Sequence, residues 1–329
     1  MSDLLAFHAR HISYNQLVYM SIVPIASLSA SVGSIKLENP SMLASGILGE
    51  TAESMMRALK NGAGGVVTKS IGMEPRDGYL NPTVYSFQEG LLNAMGLPNP
   101  GMENYKQVIE KLKKESGGIV IGSIFGKDEQ EFGALAKTMS SLKVDGLELN
   151  LSCPHAKGVG SEIGSDPDMV ERVVKSARTH ASVPVWAKLT PNTDSISSLA
   201  ISAEKGGADA IVAINTVRAM AISARLRMPV LSNRYGGLSG KAVKHVGLRC
   251  VYEIYESVHI PVIGVGGIYT GEDAAEYLMA GASAFEIGTA VAERGPQVFS
   301  AVNRELLAFM KKEHFSTIGE MIGIAHRQT

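Results

Sequence analysis

The chain has 329 residues, 45% of them hydrophobic and 19% charged, a composition that allows a large core and excludes a disordered protein. Its formal net charge of -1 argues against the basic surface of a nucleic-acid-binding protein and favours a small, diffusing substrate. The 2 cysteines are too few for a disulfide framework or a four-cysteine iron-sulfur cluster, so we expect a reducing compartment, the cytoplasm.

The first feature in chain order is the apolar segment 17–30, which is too short to span a membrane and contains Pro24. We therefore expect no membrane partner. Residues 1–36 differ in character from the rest of the chain, and we assign them to an N-terminal extension and barrel-bottom segment. Residues 37–329 form the predicted catalytic domain.

Short β-branched runs then alternate with helical stretches, the pattern of parallel βαβ units. Asp166 before Pro167 predicts one helix start, and Thr270 with Asp273 predicts a capping box at another. Eight strands in this pattern predict an α/β protein, a closed (β/α)8 barrel. The predicted strands are 42–45, 65–70, 119–125, 146–152, 184–190, 210–216, 261–267 and 284–290, and the predicted helices include 105–115, 128–142, 167–179 and 271–280.

Two long insertions come after predicted strands, 73–101 after the second and 218–240 after the sixth. In such barrels the chemistry lies at the carboxyl ends of the strands. Loops of this length in a compact domain are usually lids or binding walls. We expect both insertions to border the functional site.

The last two strands end in glycine-containing motifs, 264–268 and 288–290. Such motifs let backbone amides approach a phosphate, which (β/α)8 barrels often hold after strands seven and eight. Either motif alone could be a tight turn. Their presence at both strands favours a phosphate site, and we predict no metal site.

Polar side chains end four other strands: Lys69, Lys188, Asn150 and Asn215. Each lysine comes after an apolar run, where a charge requires a negative partner. Two lysines at one barrel mouth indicate a site for an anionic flavin or a substrate carboxylate, although either could be a surface charge. The asparagines could recognise an imide or amide edge, or could cap loops.

Cys153 comes after the fourth strand in the run 148–155, Glu-Leu-Asn-Leu-Ser-Cys-Pro-His. A lone cysteine is usually a small buried hydrophobe. This one lies beyond a strand end among polar residues, where cationic neighbours could make its thiol a general base. We predict a catalytic role for it.

These motifs resemble the dihydroorotate dehydrogenase family, specifically its soluble, cysteine-using class 1 branch. The resemblance runs from about Leu37 to the last helices. It includes the two glycine motifs and the segments 39–46, 67–70, 92–101, 150–154 and 236–240. Several matches in the right order are more specific than any one of them.

The resemblance implies FMN-dependent oxidation of dihydroorotate to orotate in pyrimidine biosynthesis. Cys153 would remove the C5 proton while hydride passes from C6 to flavin N5. The implied FMN contacts are Ala44, Ser45, Gly46, Lys69, Ser70, Ser123, Asn150, Lys188, Ile214 and Thr216, with Gly240, Gly266, Gly267, Gly288 and Thr289 at the phosphate. The implied substrate contacts are Lys69, Asn93, Met95, Gly96, Leu97, Asn150, Asn215 and Thr216.

One departure from the family pattern is His155, where a second asparagine is usual. The same Ser-Cys-Pro-His run is similar to that of dihydropyrimidine dehydrogenases, which leaves a uracil or thymine substrate as an alternative. Segment 93–101 favours dihydroorotate. A tRNA-dihydrouridine synthase would need a basic surface, and a phosphate-binding barrel without flavin would leave Cys153 and both lysines without a role.

The electron acceptor is not evident from the chain. Without cluster cysteines, a route to NAD would need a separate subunit that carries FAD and an iron-sulfur centre, while fumarate is another candidate. The relatives are commonly dimers, so we expect a homodimer or a heterotetramer.

Overall fold

A computed structural model describes residues 26–152 and 163–328 of the protein. In chain order the strands are β1 (Ala30–Val32), β2 (Ile35–Leu37), β3 (Ser41–Leu43), β4 (Gly65–Val67), β5 (Val84–Phe87), β6 (Gly90–Asn93), β7 (Ile119–Ile124), β8 (Gly146–Asn150), β9 (Val185–Leu189), β10 (Ala210–Ala213), β11 (Val217–Met220), β12 (Ile222–Ser223), β13 (Met228–Pro229), β14 (Tyr235–Ser239), β15 (Val262–Val265) and β16 (Ala282–Ile287). The α-helices are α1 (Ala52–Lys60), α2 (Gly101–Ser116), α3 (Glu129–Ser141), α4 (Pro167–His180), α5 (Ile196–Lys205), α6 (Lys244–Tyr255), α7 (Gly271–Met279), α8 (Thr289–Arg294), α9 (Val298–Lys312) and α10 (Ile318–Met321).

Eight of these strands close into a barrel in the order β3-β4-β7-β8-β9-β10-β15-β16. Neighbours are parallel throughout, and β16 closes the ring by pairing with β3. The predicted (β/α)8 fold is therefore confirmed. Among the described residues, no helix combines the length and the apolar character that a membrane crossing needs.

Two predicted helix starts are confirmed in detail. The Asp166 side chain accepts hydrogen bonds from the first turn of α4, and Pro167 occupies its first position, where no N–H is required. Thr270 and Asp273 form the predicted capping box of α7. These local signals fix where two helices leave the strands.

Strand alternation divides the apolar residues into an inner and an outer core. On β8, Leu147 and Leu149 belong to the outer core under the helices, whereas Glu148 and Asn150 face the barrel mouth. Buried side chains such as Trp186 fill the barrel interior. This alternation aims polar side chains at the mouth.

The hairpin of β1 and β2 fills the amino-terminal end of the barrel. Val32, Ile35 and Leu37 pack into the inner core, where they are 1%, 6% and 3% exposed. The division into residues 1–36 and 37–329 stays a prediction.

The two insertions pair with each other. Strands β5 and β6 of the first and β11 and β14 of the second form a four-stranded antiparallel sheet in the order β11-β14-β6-β5. Strand β6 pairs with β14 from Gly237–Asn93 to Ser239–Leu91. The insertions therefore make one wall, which we call the insertion sheet, beside the barrel mouth.

Candidate active site

A cavity of ≈ 460 Å³ lies at the carboxyl ends of the barrel strands, the end at which (β/α)8 barrels hold their active sites. The barrel strands supply its floor, the insertion sheet supplies one side, and the glycine motifs supply another. Its lining residues are Ala44, Ser45, Gly46, Ile47, Glu50, Lys69, Ser70, Val84, Leu91, Asn93, Met95, Leu97, Pro98, Glu148, Asn150, Lys188, Ile214, Asn215, Thr216, Leu238, Ser239, Gly240, Val243, Val265, Gly266, Gly267, Ile268, Tyr269, Glu286, Gly288, Thr289 and Ala290.

The floor contains a buried group of three charges from β9, β8 and β16: Lys188, Glu148 and Glu286. We call them the floor triad. The Nζ atom of Lys188 lies 2.7 Å from Oε2 of Glu286 and 3.3 Å from Oε2 of Glu148. The two carboxylate side chains are 0% exposed and the lysine side chain is 7% exposed.

Burial and mutual repulsion shift the titration of the floor triad. Loss of hydration, together with repulsion from Glu286, raises the pKa of Glu148 to about 8 despite the nearby ammonium. Burial alone lowers the pKa of Lys188, but the two carboxylates outweigh burial and the net direction is upward. Lys188 is therefore charged at neutral pH.

Neutral polar side chains continue from the floor triad across the cavity. Asn215 donates to Asn150 over 3.1 Å, and Asn150 donates to Ser70 over 3.1 Å. The hydroxyls of Ser70 and Ser123 lie 2.9 Å apart, and Ser123 donates to Glu148 over 3.4 Å. This chain of hydrogen bonds fixes the amide orientations of both asparagines.

Lys69 lies on the opposite side of the mouth, after β4. Its ammonium makes a salt bridge with Glu50, whose side chain is 67% exposed. An exposed pair of this kind is weak, so the ammonium can exchange its partner for a bound anion at little cost. Lys69 is thus available to a ligand carboxylate.

The glycine motifs form the end of the cavity near β15 and α8. Gly240 and Gly267 have φ angles of 96° and 69°, which other residues rarely adopt. A Cβ atom on Gly240 would lie 2.6 Å from the Cα atom of Gly90, and one on Gly267 would lie 2.8 Å from the Cβ atom of Lys244. Only glycine leaves the backbone open at these positions.

Tyr277 holds this end of the cavity from behind. Its side chain is fully buried, and its hydroxyl donates to the carbonyl oxygen of Gly266 over 2.7 Å. A Cβ atom on Gly264 would lie only 2.3 Å from the Tyr277 ring, so the barrel strand must be glycine there to admit it. The tyrosine fixes the direction of a peptide group that borders the cavity.

The insertion sheet supplies the remaining side. Leu92, Ala94 and Leu231 form a small separate core. The amide of Asn93 donates to the carbonyl oxygen of Gly237 over 3.2 Å, which ties the two insertions together. Asn93 thus has a structural bond in addition to its position at the cavity.

Comparisons with known proteins agree with this geometry. Residues 27–310 match the model of the family described as dihydroorotate dehydrogenase. The chain belongs to the dihydroorotate dehydrogenase family. The family that the sequence motifs indicate is therefore confirmed.

Relatives within the family are named "Dihydroorotate dehydrogenase B (NAD(+)), catalytic subunit". The protein from Methanocaldococcus jannaschii is 49% identical over 91% of this chain and 98% of its own length. That from Thermoplasma acidophilum is 52% identical over 92% of this chain and 100% of its own length. A structure of dihydroorotate dehydrogenase from Eimeria tenella in complex with ferulenol, 24% identical, superposes with a TM-score of 0.79 over 91% of this chain and 89% of that chain and supports the fold.

The structure brings most of the predicted site residues of this dihydroorotate dehydrogenase family member to the one cavity. Two predicted contacts lie elsewhere among the described residues. Ser123 is fully buried beneath the floor, and Gly96 packs against Tyr79. Cys153 and His155 lie outside the described residues.

Three acidic residues of the site were not predicted: Glu50, Glu148 and Glu286. Glu286 lies in an apolar strand, between Phe285 and Ile287, and Glu148 lies between two leucines. A charge in the middle of a buried strand is a signal for a paired or functional group. That signal was available in the sequence for both floor carboxylates.

Proposed function

We propose that this chain oxidises dihydroorotate to orotate in pyrimidine biosynthesis, with FMN as its cofactor. The observation that carries the proposal is one cavity with open glycine backbone at one end and lysine and amide side chains at the other. The names of the relatives support the same activity. Oxidation of the C5–C6 bond removes two electrons and two protons from the substrate.

The cavity fits a flavin mononucleotide. Backbone amides near Gly240, Gly266, Gly267, Gly288 and Thr289 would receive the phosphate, since a side chain at Gly240 or Gly267 would collide with neighbouring backbone or Cβ atoms. Ala44, Ser45, Gly46, Lys69, Ser70, Asn150, Lys188, Ile214 and Thr216 would border the ring system. When bound, the flavin would supply the redox chemistry by accepting hydride from the substrate.

The substrate end combines amides with a cation. Asn150 and Asn215, held by their mutual hydrogen bond, present fixed donors and acceptors to an imide edge. Lys69, paired only with an exposed glutamate, would receive the ring carboxylate. Asn93, Met95, Leu97 and Thr216 border the same space.

Cys153 is the proposed base that removes the C5 proton, a role that rests on its place in the sequence. The second cysteine is unsuited to this role. Cys250 is fully buried on α6, and burial raises the pKa of its thiol to about 11. Cys250→Ala is therefore a matched control for Cys153→Ala.

Electrons would leave through a separate subunit. The relatives are named as NAD(+)-linked catalytic subunits, and the 2 cysteines of this chain are too few for a cluster. We propose a partner that carries FAD and an iron-sulfur centre, a homodimer or heterotetramer as the assembly, and the cytoplasm as the location.

The function can be tested by anaerobic mixing of the yellow protein with dihydroorotate, dihydrouracil or dihydrothymine while the flavin absorbance is recorded. We expect bleaching with dihydroorotate alone. Donors built for a carboxylate stay unpaired with uracil, which costs about 2 to 4 kcal/mol or roughly 30-fold to 1000-fold in affinity. Faster bleaching by dihydrouracil would move the assignment to the dihydropyrimidine relatives, and a colourless protein that FMN cannot restore would end it.

The role of Cys153 can be tested in the same assay. Cys153→Ala should retain orotate binding and slow flavin reduction by roughly 100-fold or more, the usual effect of a lost general base. Cys250→Ala should reduce its flavin at the wild-type rate. Equal rates in both variants would show that Cys153 has no catalytic role.

A further inference from the structure

The floor triad carries more negative than positive charge in a place that water does not reach. Lys188 contributes one cation, whereas Glu148 and Glu286 contribute two carboxyl groups that are 0% exposed. Two buried carboxylates around one ammonium would leave an unpaired negative charge at low dielectric. Such a charge costs several kcal/mol, which a bound proton avoids.

Nothing else in the described part of the chain supplies the missing positive charge. The charged groups that act on Glu148 there are Glu286 from β16 and Lys188 from β9. The side chain that meets Glu148 from β7 is the neutral Ser123. Across the cavity, Lys69 is engaged by Glu50.

The geometry also indicates which carboxyl group holds the proton. Glu286 makes the shorter bond to the ammonium, 2.7 Å, and Glu148 makes the longer ones, 3.3 and 3.4 Å. Among the described residues, Oε1 of Glu286 is buried and has no hydrogen-bond partner. A proton on Glu148 removes the excess charge and offers a donor within the group.

We propose that Glu148 holds a proton at neutral pH, so that the floor triad is neutral as a whole, and that the two carboxyl groups act as positioning residues for the Lys188 ammonium. The upward shift of the Glu148 pKa to about 8 agrees with this assignment. The ammonium keeps its full charge and lines the cavity, because only one carboxylate neutralises it.

This arrangement has a consequence for the cofactor that rests on the proposed function. A flavin that accepts hydride gains negative charge, and the Lys188 ammonium stabilises that charge. If Glu148 loses its proton as pH rises past about 8, the floor becomes negative and opposes the gain. Reduction should then require one more proton, taken up by Glu148.

Infrared spectroscopy tests the proton directly and needs no flavin. We expect the purified protein, with its cofactor and after removal of the cofactor, to show a protonated carboxylic acid band at pH 7 that fades as pH rises through about 8. Glu148→Gln should abolish the band. The surface variant Glu103→Gln, whose side chain is 82% exposed in the wild type, should keep it.

Two infrared outcomes would overturn the proposal. Absence of the band in the wild type at neutral pH would show that both carboxyl groups are ionised. A band that survives in Glu148→Gln and disappears in Glu286→Gln would place the proton on the other residue. Should Glu148→Gln fail to fold, the pH titration of the wild-type band still decides whether a carboxyl group is protonated.

The flavin potential gives a second readout. In the wild type, the dependence of the midpoint potential on pH should steepen above about pH 8, from one proton per two electrons to two, and Glu148→Gln should lack this change. A dependence without the change in the wild type would contradict proton uptake by Glu148. A protein that binds no FMN would end the proposed function while the infrared result stands.

Discussion

On the floor of the cavity, Lys188 and its two carboxyl partners have side chains that are at most 7% exposed, whereas on the insertion sheet Val84 and Tyr85 are 48% and 38% exposed. The floor residues lie on barrel strands that neighbours cover on both faces. The insertion sheet has one small core of its own. The floor can therefore set a fixed electrostatic environment, while the wall can adapt to a substrate and open for its release.

The largest expected effect comes from removing the cation of the floor. Lys188→Met leaves two carboxyl groups facing each other without the ammonium, and breaking a buried ionic group costs about 3 to 5 kcal/mol of unfolding free energy. Urea unfolding of the variant should show this loss. FMN binding should weaken in the same variant.

A triple variant separates charge from packing. Glu148→Gln, Lys188→Met and Glu286→Gln together contain no buried charge, so most of the lost stability should return. If the triple variant is as unstable as Lys188→Met, the lysine stabilises the floor through its methylene packing rather than its charge.

A smaller effect is expected from the wall. Leu92 is 2% exposed in the core of the insertion sheet, and Leu92→Ala should remove about 2 kcal/mol of local stability. Hydrogen exchange should accelerate in segments 84–93 and 217–239 and stay unchanged in the barrel strands. Leu226→Ala, at a site 71% exposed in the second insertion, is the matched control. Uniform acceleration over the whole chain would refute the independence of the wall.

A pH-dependent effect is expected from Glu148. Its pKa rises on folding from 4.5 to about 8, so the folded state keeps a proton that the unfolded chain releases between these values. Stability from this group is therefore full at low pH and is lost as pH rises, with a slope on the order of 1 kcal/mol per pH unit. The stability difference between wild type and Glu148→Gln should fall across this window, and Glu103→Gln should show no such change relative to wild type.

The smallest effect is expected at the glycine end. Tyr277→Phe removes one buried hydrogen bond to the Gly266 carbonyl oxygen, worth about 1 kcal/mol, and should weaken FMN affinity by roughly 5-fold. Fluorescence titration measures this change. Tyr85→Phe, on the insertion sheet, should leave the affinity unaltered, and an equal loss in both variants would argue against a positioning role for Tyr277.

The barrel strands were predictable because buried parallel strands form continuous apolar runs. The predicted ends extend too far at the mouth. The strand predicted over 210–216 ends as Ala210–Ala213, and the one predicted over 65–70 ends as Gly65–Val67. The predicted extra residues include Ser70 and Asn215, whose side chains hydrogen-bond other side chains across the mouth.

The insertions and the floor charges were harder to predict. The pairing of Asn93 with Gly237 joins segments 144 residues apart, and no local pattern encodes such a partner. The sequence indicated Lys188 as a cation for a flavin. Its two carboxyl partners lie on other strands and meet it only when the barrel closes.

The hairpin of β1 and β2 has a kinetic consequence for the floor. Val32, Ile35 and Leu37 close the amino-terminal end of the barrel with apolar side chains, a barrier through which a proton has no hydrogen-bonded path. Among the described residues, the floor triad meets solvent only at the cavity side. A molecule seated in the cavity would therefore act as a stopper, and proton exchange at Glu148 would become as slow as the departure of that molecule.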